Sequence, residues 1–323
     1  MDLKSGQLIP HDSAHLLSKI ANVDFDPDAD CPNFKKALYR ALPENYADFL
    51  LRFLGYALLG DPKEQVFAIL YGPGANGKST VVNAVSHMLG DYAATVEPST
   101  LIKQKSDRIR TDVARLQGIH LAITSELAMG QVLDAPLVKR FSGGDTITAR
   151  KLYGEETEYK PRFVLIMTTN ALPVIDGADE AIARRMILLP FRNVIPAEER
   201  NPDLARMLEQ EAPGILNLLI AGLRQYQEKG LAVPAEVKEE AAKFVASSDM
   251  LATFLDEHVE LVDGEKLGAN ELQTYYRIWC GKAGLKTLSA PQLKQELAKK
   301  GFQQQRTNKG VVWVGLRLKP NHF

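Results

Sequence analysis

Gly72-Pro73-Gly74-Ala75-Asn76-Gly77-Lys78-Ser79 fits the spacing G-x-x-x-x-G-K-[ST] at every fixed position, with Thr80 directly behind it. Few eight-residue patterns constrain a fold so tightly. Such a loop works only between a strand that ends in it and a helix that begins in it, because its backbone N–H groups and the helix dipole must converge on one anion. Both flanks are present: Val66–Tyr71 is a short apolar run, and Val81–Leu89 has helical texture. Glycine allows the inward turn that a Cβ would obstruct. Gly72 through Thr80 are therefore the candidate phosphate-binding residues, with Lys78 reaching the outer phosphates and the Ser79 hydroxyl a ligand for Mg²⁺. The expected ligands are ATP and Mg²⁺.

Three more short apolar runs follow, at Gly118–Thr124, Phe163–Thr168 and Arg185–Pro190, separated by helical patterns. Runs this short and rich in branched residues predict buried parallel strands, hence an α/β core. Polar residues end two of them. Glu126 follows the first, where a carboxylate polarises the attacking water and holds Mg²⁺ through water, although Ser125 stands where an acidic pair would put its first member. Asn170 ends the second, within reach of a γ-phosphate. Arg184 and Arg185 stand where the last run begins, and one of them is a candidate arginine finger acting on a neighbouring copy. Lys78, Glu126, Asn170, Arg184 and Arg185 thus form the candidate catalytic set.

The flanks read as helical. Lys35–Leu42 and Tyr46–Leu54 are apolar at helical spacing on either side of Pro43, and helices are predicted over Asp203–Lys229 and Ala235–Ala246. After them, capping boxes at Asn270–Gln273 and Ser289–Gln292 open two helices, and the runs Phe302–Arg306 and Val311–Leu318 form a hairpin turning at Asn308-Lys309-Gly310. Helix, helix, hairpin is the order of a winged helix. The expected division is an N-terminal helical, oligomerising domain (1–62), the ATPase core (63–196), a helical lid or linker (197–248) and a winged-helix-like module (249–323). Trp279, Trp313 and His120 read as packing residues.

Composition narrows the class. Lys and Arg number 39 against 40 Asp and Glu, so contact with nucleic acid must come from local clusters rather than bulk charge. The two cysteines, Cys31 and Cys280, are too few for a disulfide scaffold, and no Cys or His pair has zinc spacing. No apolar run approaches the roughly 18 residues that cross a bilayer, so no membrane partner is expected and a cytoplasmic location is.

In combination these residues resemble the superfamily 3 helicases, a branch of the AAA+ ATPases, and within them the phage and poxvirus primase–helicase group. The likeness rests on Asn76-Gly77-Lys78-Ser79, on Lys139-Arg140-Phe141-Ser142-Gly143-Gly144-Asp145 running on to Arg150, on Thr169-Asn170-Ala171-Leu172-Pro173 and on Ala183-Arg184-Arg185. Asp24–Pro32 and Gly214–Asn217 also look like family segments on either side of the core. The resemblance implies an ATP-dependent, ring-forming DNA helicase, a homo-oligomer of six copies, at work in phage or mobile-element replication within the host cytoplasm. The opening Asp2–Leu8 reads as the interior of a longer family member, which implies a fused or associated primase or polymerase.

Thr146–Phe163 reads as a hairpin with its tip at Gly154-Glu155-Glu156. The resemblance places it in the ring's channel, so Lys139, Arg150, Lys151, Tyr153 and Lys160 become the candidate contacts to single-stranded or forked DNA. Lys103, Lys105, Arg108 and Arg110 make a second basic cluster. Lys294, Lys299, Lys300, Arg306, Lys309 and Arg317 make a third, in a module that either grips duplex DNA or docks a protein. Against the helicase stand a P-loop kinase, which would need an acceptor-binding lid and would leave the Gly-Gly-Asp segment and the arginine pair unexplained, and an AAA+ protein remodeller, whose pore loop would precede Glu126. An ATP-switched DNA-binding initiator with little unwinding activity is the main alternative.

Overall fold

The computed structural model describes residues 1–3, 5–103, 113–125, 131–150, 154–175, 180–248, 250–282, 287–308 and 310–319. The chain divides into two compact units, Met1–Val245 and Ala246–Phe323. Up to the boundary the elements run α1 (Pro32–Ala41), α2 (Glu44–Ala57), β1 (Phe67–Tyr71), α3 (Lys78–Leu89), β2 (Ala93–Thr95), α4 (Pro98–Leu101), β3 (Leu121–Ser125) and α5 (Ala135–Gly143). They continue with β4 (Ile147–Arg150), β5 (Glu156–Tyr159), β6 (Val164–Thr169), α6 (Glu180–Ala183), β7 (Met186–Pro190), α7 (Leu204–Gln210), α8 (Ala212–Lys229) and α9 (Ala235–Ser248).

Five strands pair in the order β2-β3-β6-β1-β7, every neighbour parallel. The four apolar runs supply four of them, and β6 and β7 are buried at every position, which is why they read as continuous apolar segments. The fifth, β2, is only Ala93-Ala94-Thr95 at the sheet's edge. Side chains alternate across the sheet. Ala68, Leu70, Ile123, Ile166 and Leu189 join a core shared with α1, α2, α3 and α8. Phe67, Ile69, Ala122, Leu165 and Leu188 face a second core with α5 and the β4–β5 hairpin.

The segment Asp203–Lys229 is two helices rather than one. Pro213 has no N–H to extend the ladder of α7, and the chain breaks at Glu211. The Glu211 carboxylate caps α1, accepting from the N–H groups of Asn33 (3.0 Å) and Phe34 (2.9 Å) and from Asn33 Nδ2 (2.6 Å). Nearby, Asn217 Nδ2 donates to the carbonyls of Asp26 and Ala29, and a Cβ on Gly214 would lie 2.3 Å from the Asp30 carbonyl carbon. The two flanking segments, Asp24–Pro32 and Gly214–Asn217, therefore bind each other, so their role is to hold the helices that back the sheet. α2 and α8 cross at glycines for the same reason of space: a Cβ on Gly55 would stand 2.4 Å from Leu219 O, and one on Gly222 2.3 Å from Leu51 O. His120 is packed, its ring 4.6 Å from that of Tyr92 and its Nδ1 2.9 Å from Leu58 O, and burial holds its pKa below the usual value.

The second unit runs α10 (Met250–His258), β8 (Val259–Gly268), α11 (Ala269–Lys282), α12 (Ala290–Lys299), β9 (Gln304–Thr307) and β10 (Gly310–Leu318). Its antiparallel sheet has the order β8-β10-β9, so the expected helix–helix–hairpin stands beside an additional strand, β8. The capping box at Ser289–Gln292 forms. That at Asn270–Gln273 does not: α11 starts at Ala269 directly out of β8, and the Gln273 amide donates to Leu288 O instead, at 2.9 Å. Trp313 is buried in the core, and Trp279 stacks on Tyr276 while Nε1 donates to Glu257. Among the described residues no helix is long and apolar enough to cross a membrane.

Gly222→Ala should lower the unfolding free energy by about 1–3 kcal/mol through overpacking at the α2–α8 crossing. Gly281→Ala, in α11 with nothing within 4 Å of the new Cβ, should be neutral or stabilising by up to about 1 kcal/mol. Denaturant melts of the two variants compare them directly, and equal effects would exclude the close crossing.

Candidate active site

The loop after β1 is anchored from behind. Gly72, at φ +145°, lies so close to Phe191 that a Cβ would stand 2.1 Å from its carbonyl oxygen. Asn76, 2% exposed, donates Nδ2 to that same oxygen at 2.7 Å. Ile195 N–H donates to Ala75 O at 2.8 Å, holding Ala75 at φ +59°, a left-handed conformation that costs a residue with a Cβ. Gly77, at φ +86°, then opens α3. The first N–H groups of α3 have no partner within the helix and are the natural anion donors.

Inside this turn Lys78 is 4% exposed, and its ammonium turns back on the loop. It donates to Gly72 O (2.6 Å), Asn76 Oδ1 (3.0 Å) and Pro73 O (3.1 Å), and Asn170 Oδ1 lies 3.4 Å away. Burial lowers its pKa from the ordinary lysine value. Strand order brings Asn170 here: β6 lies between β1 and β3, with Tyr71 level with Thr169 and Leu70 with Thr168. The resulting cleft of about 210 Å³ is lined by Gly74 through Thr80 and by Thr168, Thr169 and Asn170. Thr168 is a site residue that motif matching misses. The signal was available in the alternation of β6, since Thr168 shares the face of Val164 and Ile166 that looks toward α3. Ser125 is level with Thr168 on the far side of β6. Glu126, next in sequence, lies outside the described residues.

A wider groove of about 490 Å³ continues from Ala75, Gly77, Ser79 and Thr80 between α1 and α7. Its polar lining includes Asn33, Lys36, Asn83 and His87, and Arg40 pairs with Glu199 to join its two walls. None of these is evident from the sequence, because the groove joins α1 and α3 to a wall, Ile195 to Glu209, more than a hundred residues further on.

Arg184 and Arg185 are not at this cleft. Met186, the first residue of β7, is level with Phe67, the first of β1, whereas the loop leaves from Tyr71, the last. Four residues of strand, roughly 13 Å, separate the pair from their own phosphate loop. Arg185 is half-buried, donating Nη1 to Ala181 O at 2.7 Å and Nη2 to Gln65 Oε1 at 3.4 Å. Gln65 in turn donates to Gly143 O, so Arg185 is tied to the end of α5, where Gly144 closes the helix at φ +77°. Arg184 is exposed.

The β4–β5 hairpin forms in register, Ile147 with Tyr159 and Arg150 with Glu156, and Tyr159 anchors it by donating its hydroxyl to Val113 O at 2.7 Å. Its return strand exposes Glu156 and Glu158, with Lys160 exposed just beyond. Lys139 is half-buried on α5. Lys151 and Tyr153 lie outside the described residues, as do Lys105, Arg108 and Arg110. Among the described residues no group of His, Cys, Asp and Glu could hold a metal by itself.

Residues 70–185, which contain the phosphate loop, Asn170 and both arginines, match a family described as "Family of unknown function (DUF5906)". Residues 1–43 match "D5 N terminal like". A protein of Acanthamoeba polyphaga mimivirus, named as a candidate helicase, is 26% identical over 287 residues, covering 82% of this chain and 30% of its own length. One of Sputnik virophage, likewise named, is 26% identical over 323 residues, covering 92% of this chain and 41% of its own. A protein of African swine fever virus (isolate Tick/Malawi/Lil 20-1/1983), named as a candidate primase, is 22% identical over 188 residues, covering 56% and 20%. These matches fit a primase–helicase family. The chain spans less than half the length of each of these relatives. Among solved structures, the apo C-terminal region of NrS-1 has a similar fold, with a TM-score of 0.55 at 14% identity over 91% of this chain and 77% of that one.

The loop's anchor can be tested apart from its lysine. Asn76→Ala leaves the Phe191 carbonyl buried without its side-chain donor, which should cost about 1–3 kcal/mol of stability. By freeing the loop it should also weaken ATP binding by about tenfold or more in a calorimetric titration. Unchanged affinity would mean that the loop does not depend on this bond.

Proposed function

We propose that this chain is an ATP-driven, ring-forming DNA helicase of the AAA+ superfamily 3 type, and that each active site is completed by a neighbouring copy. One observation carries the reading. The sheet that sets Lys78 beside Asn170 puts Arg184 and Arg185 at its opposite end, so the chain owns both halves of an ATPase site but cannot bring them together alone. A ring of copies, six in the resembling family, can.

The residues fit a nucleoside triphosphate. The glycines leave a cradle that a Cβ would fill, Lys78 stands at its centre, and the groove beyond α1 has room for the nucleoside. They also fit Mg²⁺, which keeps several waters and takes only one or two protein oxygens beside the phosphates; Ser79 supplies such an oxygen, with Glu126 acting through water. The metal, when bound, neutralises charge on the β- and γ-phosphates. In this reading Lys78 exchanges its carbonyl partners for phosphate oxygens. Glu126 orients and deprotonates the attacking water, and Asn170 holds that water against the γ-phosphate. Arg184 of the neighbour stabilises the charge that develops on the transferred group. Exposure favours Arg184 for this part, since Arg185 is already committed to Ala181 and Gln65.

Relatives named as helicases and a primase support a role in replication, and a primase or polymerase fused to or associated with this chain. DNA in the ring's channel would meet the β4–β5 hairpin. Its return strand is acidic, so the contact belongs to Lys151, Tyr153 and Lys160. A second reading, the ATP-switched initiator, draws on Ser125 in place of an acid, which suits slow turnover.

Adding Arg184→Ala protein to wild type should depress the ATPase rate more steeply than dilution, while the pure variant loses about 10³-fold or more with an unchanged melting temperature. Arg185→Ala should melt lower. A linear response to added Arg184→Ala would sink the shared site.

A further inference from the structure

The groove between α1 and α7 is bridged at both ends of α1, and the two bridges differ in kind. At the N-terminal end the Glu211 carboxylate takes the backbone N–H groups of Asn33 and Phe34 together with the Asn33 amide, all part-buried. Backbone donors cannot swing away, so that end is fixed. Seven residues on, about 11 Å along the helix, Arg40 reaches across to Glu199. This second bridge consists of two long side chains, 36% and 49% exposed. An exposed ion pair gains little over its hydrated alternatives, and it gives way to thermal motion and to salt. One bridge holds the groove together and the other can open.

The backbone that carries Glu199 is tied to the phosphate loop. Ile195 N–H donates to Ala75 O at 2.8 Å, and Asn193 Nδ2 donates to Arg40 O at 3.0 Å. Arg200 Nε folds back onto Ile195 O at 2.9 Å and closes the single turn over Ala197–Glu199. Glu199 is thereby presented to Arg40 by a segment that the loop already holds. Arg40 stands beside the loop as well: a Cβ on Gly77 would lie 3.2 Å from that of Ala41, the next residue. The pair lines the same groove as Thr80, Asn83 and His87, which follow one another along α3 away from the loop. A nucleoside whose phosphates fill the loop and which lies along α3 is therefore flanked by this pair.

We propose that Arg40 and Glu199 form a latch across the nucleoside groove, which opens for a nucleoside triphosphate to enter or leave and keeps the nucleoside seated while closed. The proposal rests on the reading of this groove as the nucleoside's place. Both are positioning residues, acting on the walls of the groove and not on the reacting phosphate. The latch is closed with the groove empty, so it slows entry and release alike and leaves affinity nearly unchanged. Its exposure suits that task. A buried pair, stripped of water, would be far harder to part at every exchange of nucleotide.

The test is stopped-flow fluorescence on the full chain, with a ribose-labelled β,γ-imido analogue of ATP and Mg²⁺, chased by unlabelled ATP. Arg40→Ala and Glu199→Gln should each speed entry and release by about two- to fivefold, the range of one exposed ion pair, with little change in affinity. Combining the two should add nothing. Arg40→Glu with Glu199→Arg, which rebuilds the pair in reverse, should restore the wild-type rates. Added salt should bring the wild type toward the single variants. Inorganic triphosphate, which fills the loop and leaves the groove empty, should bind the wild type and all variants equally. Glu199→Gln keeps the shape of the side chain and carries the test if Arg40→Ala melts lower. Unchanged rates in the single variants, a reversed pair no slower than the combined variant, or a fall in triphosphate affinity in Arg40→Ala would overturn the latch and leave ATP binding intact. No binding of the analogue by wild type, or binding indifferent to Lys78→Ala, would overturn the ATP reading and the latch together.

Discussion

An ammonium removed from water must find acceptors, and Lys78 finds them in the carbonyls of its own loop and the amide of Asn76, with Asn170 beside it. Much of the first unit follows from meeting that need. The loop carbonyls can converge on Nζ only if the loop folds back onto Phe191, which calls for no side chain at Gly72 and an amide at Asn76. Asn170 comes within reach only if β6 lies beside β1. In the proposed reading an anion entering the cleft takes over the lysine from these partners, the kind of preorganisation that electrostatic catalysis relies on.

A parallel sheet also has two chemically distinct ends. Here the C-terminal ends of β1 and β6 carry the phosphate loop, Thr168 and Asn170, while the N-terminal end of β7 carries Arg184 and Arg185. The separation is a consequence of strand direction and not of loop placement, so no local adjustment removes it. The composite site proposed above would turn that separation into a use, because the arginine end of one sheet would serve the phosphate end of the next.

The phosphate loop and four of the five strands are legible in the sequence because each is a local pattern: glycine spacing in one case, a buried apolar run in the others. β2 is hidden because Ala93-Ala94-Thr95 is too short for any period to show. β8 is hidden because Glu260, Asp263, Glu265 and Lys266 fall on both faces of a largely exposed edge strand and leave no period of two to read. The break at Glu211 is visible in Pro213, yet its purpose, capping α1 at Asn33 and Phe34, is a pairing across more than 170 residues that no window contains. The same limit hides the groove between α1 and α7, and the distance from the arginine pair to its own loop, which depends on strand register. Asn76 shows the opposite case. It reads as one letter of a loop motif, and only its bond to Phe191 explains why an amide belongs there.

The claim on which the functional reading turns is that hydrolysis needs more than one copy of the chain. It is met most directly by the ATPase rate per molecule measured against protein concentration, with and without single-stranded DNA. A shared site requires that rate to climb steeply as copies assemble and to rise further when DNA is added. A rate per molecule that stays flat with concentration and ignores DNA would mean a self-contained site, and would contradict the composite active site outright.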